Sequence, residues 1–184
     1  MNASLVFIDE SGFLMAPLVR RSWSPQGQTP VLLQRTRSHK KVSAIAALCI
    51  PPSRDQLSFF FRLHPDRNIR IPEIVAFLQV LARHLAGSAV VVWDRLQAHR
   101  SPEVARVLRQ ALGSHCSFLP PYAPDLNPVE YAWSYLKTGA MANLAPTQLE
   151  VLAEATRRGN RALQRNQLLL RSFLAHSPLF LRLH

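Results

Sequence analysis

Only two cysteines, Cys49 and Cys116, occur in 184 residues. They are too few and too far apart for a disulfide framework, and no Cys/His cluster has zinc-ligand spacing. Both sit in apolar contexts and read as core thiols. Acidic residues are also scarce, 11 against 22 basic ones, and the net charge is +11. Arginine supplies 19 of those basic residues and lysine only 3. A domain this basic suits a polyanion, most commonly nucleic acid, although a generally Arg-rich soluble protein has the same balance. Charge alone does not separate DNA from RNA. No apolar run approaches the ~20 residues of a membrane span, and the N-terminus lacks a basic segment followed by a long apolar one. A soluble, cytoplasmic protein without a membrane partner is expected. Internal repeats and low-complexity segments are missing too. What is present is 48% hydrophobic content, enough for a well-buried core in one domain with a helical appendage.

The first half reads as strands. Ser4–Ile8 is a short β-rich run ending at Asp9, and the polar stretch Pro17–Pro30 reads as a loop or hairpin arm. Val42–Ile50 and Leu57–Leu63 are two further strands, the first stopped by Pro51 and Pro52. Helical spacing follows: Pro72 suits a first turn, and Ile74, Phe77, Leu78, Leu81 and Leu85 form an apolar stripe that Gly87 ends. Ala89–Trp93 is a continuous apolar run, as in a strand buried on both faces, and it ends at Asp94. Ser101 and Pro102 open a helix with Val104, Val107 and Leu108 inward, closing at Gly113. Cys116–Leu119 is a last strand, and another helix starts after Asn127 and Pro128. Thr147 with Glu150 fits a capping box opening one C-terminal helix, Arg-rich from Arg157 to Arg171. Strands followed by alternating helix and strand make an α/β pattern, with the middle strands parallel by the crossover rule.

Three acids stand at element boundaries: Asp9, Asp94 and Glu130. Asp9 and Asp94 would close neighbouring central strands, where open α/β sheets place their ligands. Taken singly, an Asp at a strand end is a common turn former. Asn127-Pro128-Val129-Glu130 fits N-cap to N3, so Glu130 alone reads equally well as half of a capping box. Glu10 and Asp125 compete for the same role. Neighbours in a strand face opposite ways, so only one of Asp9 and Glu10 can point into the site, and Asp125 reads as a turn or cap residue.

The run Leu119-Pro-Pro-Tyr-Ala-Pro-Asp-Leu-Asn-Pro-Val-Glu130-Tyr-Ala-Trp133 breaks that ambiguity. It resembles the signature around the third acid of the mariner-like insertion-sequence transposases of the DDE superfamily. Asp9-Glu-Ser-Gly-Phe13, Arg21–Pro30 and Trp93–Ser101 look like further family blocks, so the resemblance runs from Leu5 to Lys137. The 35 residues between Asp94 and Glu130 are similar to the separation in that family.

The resemblance implies a ribonuclease-H-like (retroviral-integrase-like) mixed sheet flanked by helices, with a C-terminal helical extension. It divides the chain into a catalytic domain at 1–140 and the extension at 141–184. It also implies Asp9, Asp94 and Glu130 as catalytic metal ligands for two Mg²⁺ or Mn²⁺ ions. The implied activity is DNA cleavage at transposon ends and strand transfer into target DNA, typically at TA. One departure is Arg95, where the family often has Asn. Arg95, His99 and Arg100 lie near the expected mouth, and Arg35, Arg37, His39, Lys40 and Lys41 form a basic cluster before the second strand. Phosphate contact is the expected role of these side chains, a solvated loop or a structural His the plainer one. Trp133 and Tyr122 are expected to pack against the helix.

Family members usually carry N-terminal helix-turn-helix modules, whereas here the first acid is residue 9. The expectation is a truncated copy or a downstream reading frame, partnered by an upstream-frame helix-turn-helix product and dimeric on DNA. A bacterial, nucleoid-associated location goes with it. The rival reading is a non-catalytic DNA-binding remnant.

Overall fold

The computed structural model describes residues 3–16, 18–32, 40–85, 87–114 and 116–179. Five strands form one sheet: β1 (Ser4–Leu14), β2 (Lys41–Ile50), β3 (Ser58–Pro65), β4 (Ala89–Trp93) and β5 (Cys116–Phe118), in the order β3-β2-β1-β4-β5. β1, β2 and β3 pair antiparallel, while β4 joins β1, and β5 joins β4, in parallel. The two parallel connections run through helices α1 (Ile71–Ala82) and α2 (Pro102–Leu112). Mixed pairing with crossover helices is the expected α/β arrangement.

Strand alternation divides the core into two layers. Phe7, Phe13, Val42, Ala44, Ala46, Leu48 and Phe59 face α3 (Pro128–Thr138), α4 (Leu149–Arg165) and α5 (Gln167–His176). Val6, Ile8, Ile45, Ala47, Cys49, Val91 and Trp93 face α1 and α2. Ile74, Phe77, Leu78 and Leu81 of α1 are buried, as the stripe predicts. In α2 the Ser101 hydroxyl accepts from Val104 N at 3.3 Å, and Gly113 closes the helix in the left-handed region at φ +55°. Both thiols sit in apolar surroundings: burial pushes Cys116 up to about 11 and Cys49 higher still.

Three expectations are corrected. β1 does not stop at Asp9 but runs on to Leu14, because its second half stays paired with β2 through Leu14↔Lys41. Thr147 does not cap the C-terminal helix: α4 starts at Leu149 after Gln148, which makes no side-chain cap bond. Nor is the Arg-rich segment one helix. Asn166, outside the helical region at φ −105° and ψ 88°, ends α4, and its side chain accepts from Leu169 N at 3.0 Å to begin α5.

Residues after 140 lie in the same core as the sheet. Leu152, Leu163, Leu170, Phe173 and Leu174 share a cluster with Phe7 and Trp133. Gly159 lets α4 approach α3 closely, since a Cβ there would meet Leu136 Cδ2 at 2.8 Å. Residues 18–32 form an exposed arm outside the regular elements, tied at its base by Arg20 N to Asn143 Oδ1 at 2.8 Å.

Candidate active site

β1 and β4 pair from Ser4↔Ala89 to Phe7↔Val92. Extended two steps, that register sets Asp9 abreast of Asp94, which directly follows β4. Asp9 is 7% exposed and lies on the face of Phe7 and Phe13, towards α3. Glu10 points to the opposite face, as strand geometry requires.

The start of α3 is tied to β1 by one residue. Asn127, 2% exposed, accepts from Val129 N at 3.1 Å through Oδ1 and donates Nδ2 to the Ile8 carbonyl at 2.9 Å. It therefore caps the helix and fixes it beside Asp9. Glu130 makes no capping box, because Asn127 alone supplies the cap. One turn further on, Trp133 donates Nε1–H to Asp9 Oδ2 at 2.9 Å. Residues three apart share a helix face, so Glu130 and Trp133 both look towards Asp9.

The electrostatics register that convergence. Burial, then Glu130, then Glu10 hold the Asp9 carboxyl well above the ordinary carboxylate range, against the Trp133 hydrogen bond. Glu130 is raised chiefly by partial desolvation; Lys137 opposes this, and Asp94 and Asp125 add to it. Like charges at close range raise carboxyl pKa values in this way. Asp125 sits in the 3₁₀ turn Pro124–Leu126 rather than at the cap.

Asp94 has its own support. Its Oδ1 accepts from Leu96 N at 3.1 Å and lies 2.5 Å from His99 Nδ1. This second approach is a close ionic contact rather than an aligned hydrogen bond. The other ring nitrogen, Nε2, is 3.2 Å from Glu10 Oε1. The His99 ring stacks on Trp93 with centroids 3.8 Å apart and is only 2% exposed. Burial pulls its pKa down, but Glu10 and Asp94 outweigh burial and the net shift is upward.

The predicted residues thus separate into groups. Asp9, Asp94 and Glu130 stand around one end of the β1–β4 pair, from β1, the end of β4 and the start of α3. His99 is interior, whereas Arg95 and Arg100 are exposed on either side of it. Lys40 is exposed and Lys41 begins β2, partly buried. Arg35, Arg37 and His39 lie outside the described residues. Three supporting residues escaped the sequence reading: Trp133 as a donor to Asp9, Asn127 as a tether to Ile8, and Glu10 as the partner of His99. The i, i+3, i+6 spacing of Asn127, Glu130 and Trp133 was the available signal for two of them.

Among the described residues, no group of three His, Cys, Asp or Glu side chains is drawn together as a finished metal cage. The donor set nevertheless fits a hard divalent cation. It consists of carboxylates from three segments, and Asp9 is buried with no ion-pair partner among the described residues.

Solved structures share this fold. The Mos1 transposase paired-end complex with left transposon end superposes with TM-score 0.67 at 18% identity, over 95% of this chain and 52% of that one. The Mos1 mariner paired end complex with Mn gives 0.66 at 18% identity, with the same coverage of both chains. The catalytic domain of Mos1 mariner transposase gives 0.60 at 12% identity, over 95% of this chain and 76% of that one. The chain spans about half the length of the Mos1 chains in the paired-end complexes. No curated protein matches the sequence. The sheet order and flanking helices are those of the ribonuclease-H-like fold. The family model described as DDE superfamily endonuclease matches residues 4–152, a span that holds Asp9, Asp94, Glu130 and the helix that joins them, and the chain belongs to that family.

Proposed function

We propose that this chain is the catalytic domain of a mariner-like transposase that cuts and joins DNA with Asp9, Asp94 and Glu130 as ligands of two Mg²⁺ or Mn²⁺ ions. The observation that carries the proposal is the placement of three acids from distant segments around one end of the β1–β4 pair, close enough that Glu130 raises Asp9 and Asp94 raises Glu130. Bound divalent ions supply charge neutralisation at the phosphodiester and a more acidic attacking water or hydroxyl.

The chain's own residues supply position. Trp133 orients the Asp9 carboxylate, Asn127 sets the height of α3 and so of Glu130, and the Leu96 N–H holds Asp94. Arg95 and Arg100 are placed for phosphate contact at the mouth, and Lys40 and Lys41 for the flanking duplex, with Arg35 and Arg37 continuing that cluster in sequence. Such contacts position DNA without reading its sequence. Residues 1–140 carry the chemistry in this reading, with 141–184 as the helical extension, of which α4 and α5 brace the sheet. Transposon ends and target DNA are the substrates, TA the target step. A homodimer on DNA and an upstream helix-turn-helix product are the partners, in a bacterial cytoplasm near the nucleoid.

The test is nicking of supercoiled plasmid and joining of pre-cut transposon ends by the purified chain in Mn²⁺, with Glu130→Gln beside it. Metal-dependent products with the wild type and none with Glu130→Gln are expected. Equal products from both proteins would refute the proposal, and no products from the wild type would favour the non-catalytic reading.

A further inference from the structure

We infer that Glu10 and His99 form a positioning pair that fixes the carboxylate of Asp94 from the face of the sheet opposite Asp9. The inference rests on the metal-site reading above and extends it to two residues that touch neither ion nor DNA. Asp94 is only partly enclosed, with its side chain 43% exposed. It follows the last strand residue, where the ladder no longer holds the backbone. A carboxylate in that situation rotates freely about its side-chain torsions unless something grips it.

His99 is the grip. Its ring is clamped against the buried Trp93 indole, with centroids 3.8 Å apart and planes 20° apart. Its Nδ1 lies 2.5 Å from Asp94 Oδ1, and the Leu96 N–H approaches the same oxygen. Oδ2 is left as the oxygen without a hydrogen bond among the described residues. Glu10 completes the chain of contacts at Nε2, 3.2 Å away. With Glu10 holding one nitrogen, the ring cannot flip without losing a charged contact in a buried place. The adjacent acids Asp9 and Glu10 therefore serve the same site from opposite faces, one directly and one through His99. Outer partners of ligating groups orient them, and their removal typically weakens metal binding about 10- to 100-fold.

Mn²⁺ titration of the full chain, followed by the electron paramagnetic resonance signal of free Mn²⁺, separates this role from packing. His99→Phe keeps the stacked ring and removes both nitrogens. His99→Asn restores a donor near the Nδ1 position, and Glu10→Gln leaves the ring intact at a less buried position. Circular dichroism fixes a temperature at which each variant is folded. His99→Phe is expected to weaken Mn²⁺ binding about tenfold or more, Glu10→Gln by a smaller factor, and His99→Asn less than His99→Phe. If His99→Phe does not fold, Glu10→Gln decides alone. Wild-type affinity in both Glu10→Gln and His99→Phe would overturn the pairing, as would a larger loss in His99→Asn than in His99→Phe, which would assign the effect to the packing of the ring. Absence of Mn²⁺ binding by the wild type would instead refute the metal site, and the pairing with it.

Discussion

Trp133 donates its indole N–H to Asp9 Oδ2 at 2.9 Å across 124 residues of sequence. The bond joins α3 to the central strand at the acid that is most buried of the three. Trp133 is itself 1% exposed and meets Phe13 and Phe59 edge-on. Trp133→Phe retains most of that packing but leaves a buried carboxylate short of a donor. A loss of about 1–3 kcal/mol in urea unfolding is expected, together with weaker Mn²⁺ binding. Unchanged unfolding and unchanged affinity would show that the bond contributes nothing.

Asp9→Asn tests the repulsion among the acids. Because the folded-state pKa of Asp9 is raised, the folded form binds its proton more tightly than the unfolded chain does. The stability it contributes is therefore present at acid pH and lost as pH rises through the raised value. Asparagine is neutral and still accepts from Trp133. In EDTA at neutral pH, Asp9→Asn is expected to melt above wild type by at least about 2 °C, the shift that corresponds to roughly 1 kcal/mol at this size. The gap should close on acidification, and Mn²⁺ should reverse the ranking. A variant that melts below wild type in EDTA at neutral pH would contradict this.

Asn127 does two jobs, and one substitution separates them. Asp caps helices as well as Asn does, so a cap alone would tolerate Asn127→Asp. Loss of the donor to Ile8, with a new buried charge beside two acids, is expected to cost about 2 kcal/mol or more. Chemical denaturation within about 0.5 kcal/mol of wild type, the scatter expected of a neutral change, would mean that the Ile8 tether is idle.

DNA binding should be steep in salt and nearly indifferent to sequence, because phosphate contacts release counterions without reading bases. Arg95→Ala and Arg100→Ala should each lower the slope of log affinity against log salt by about 1. Fluorescence anisotropy with two unrelated duplexes checks both points. A strong preference for one duplex, or slopes that neither variant changes, would count against the mouth arginines as phosphate contacts.

Most of the sheet was legible because its strands are uniformly apolar and bounded by Pro, Gly or Asp. The extent of β1 was not. Its second half, Glu10-Ser11-Gly12, looks like a turn, and only pairing with β2 keeps it extended. The break at Asn166 was hidden for a related reason: the apolar period continues across it, and only the backbone reveals that one Asn ends a helix and starts another. At the site, the three acids could be read from their flanking residues. The partners of Trp133, Asn127 and Glu10 could not, since each acts on a residue more than 80 positions away, and the i, i+3, i+6 spacing with Glu130 marks only the shared helix face of the first two. Apolar and capping residues advertise their local role and conceal the distant one.

Mn²⁺ titration of Glu130→Gln beside Asp125→Asn tests the central claim most directly. Both acids lie near the start of α3, and Asp125 is close enough to raise Glu130, but only Glu130 is assigned as a ligand. Gln is a much poorer donor to a hard cation, while Asn serves a turn as well as Asp. Glu130→Gln should lose Mn²⁺ binding with little change in melting temperature, and Asp125→Asn should bind as wild type does. Binding that survives in Glu130→Gln and vanishes in Asp125→Asn would contradict the assignment of Asp9, Asp94 and Glu130 as the metal-holding set.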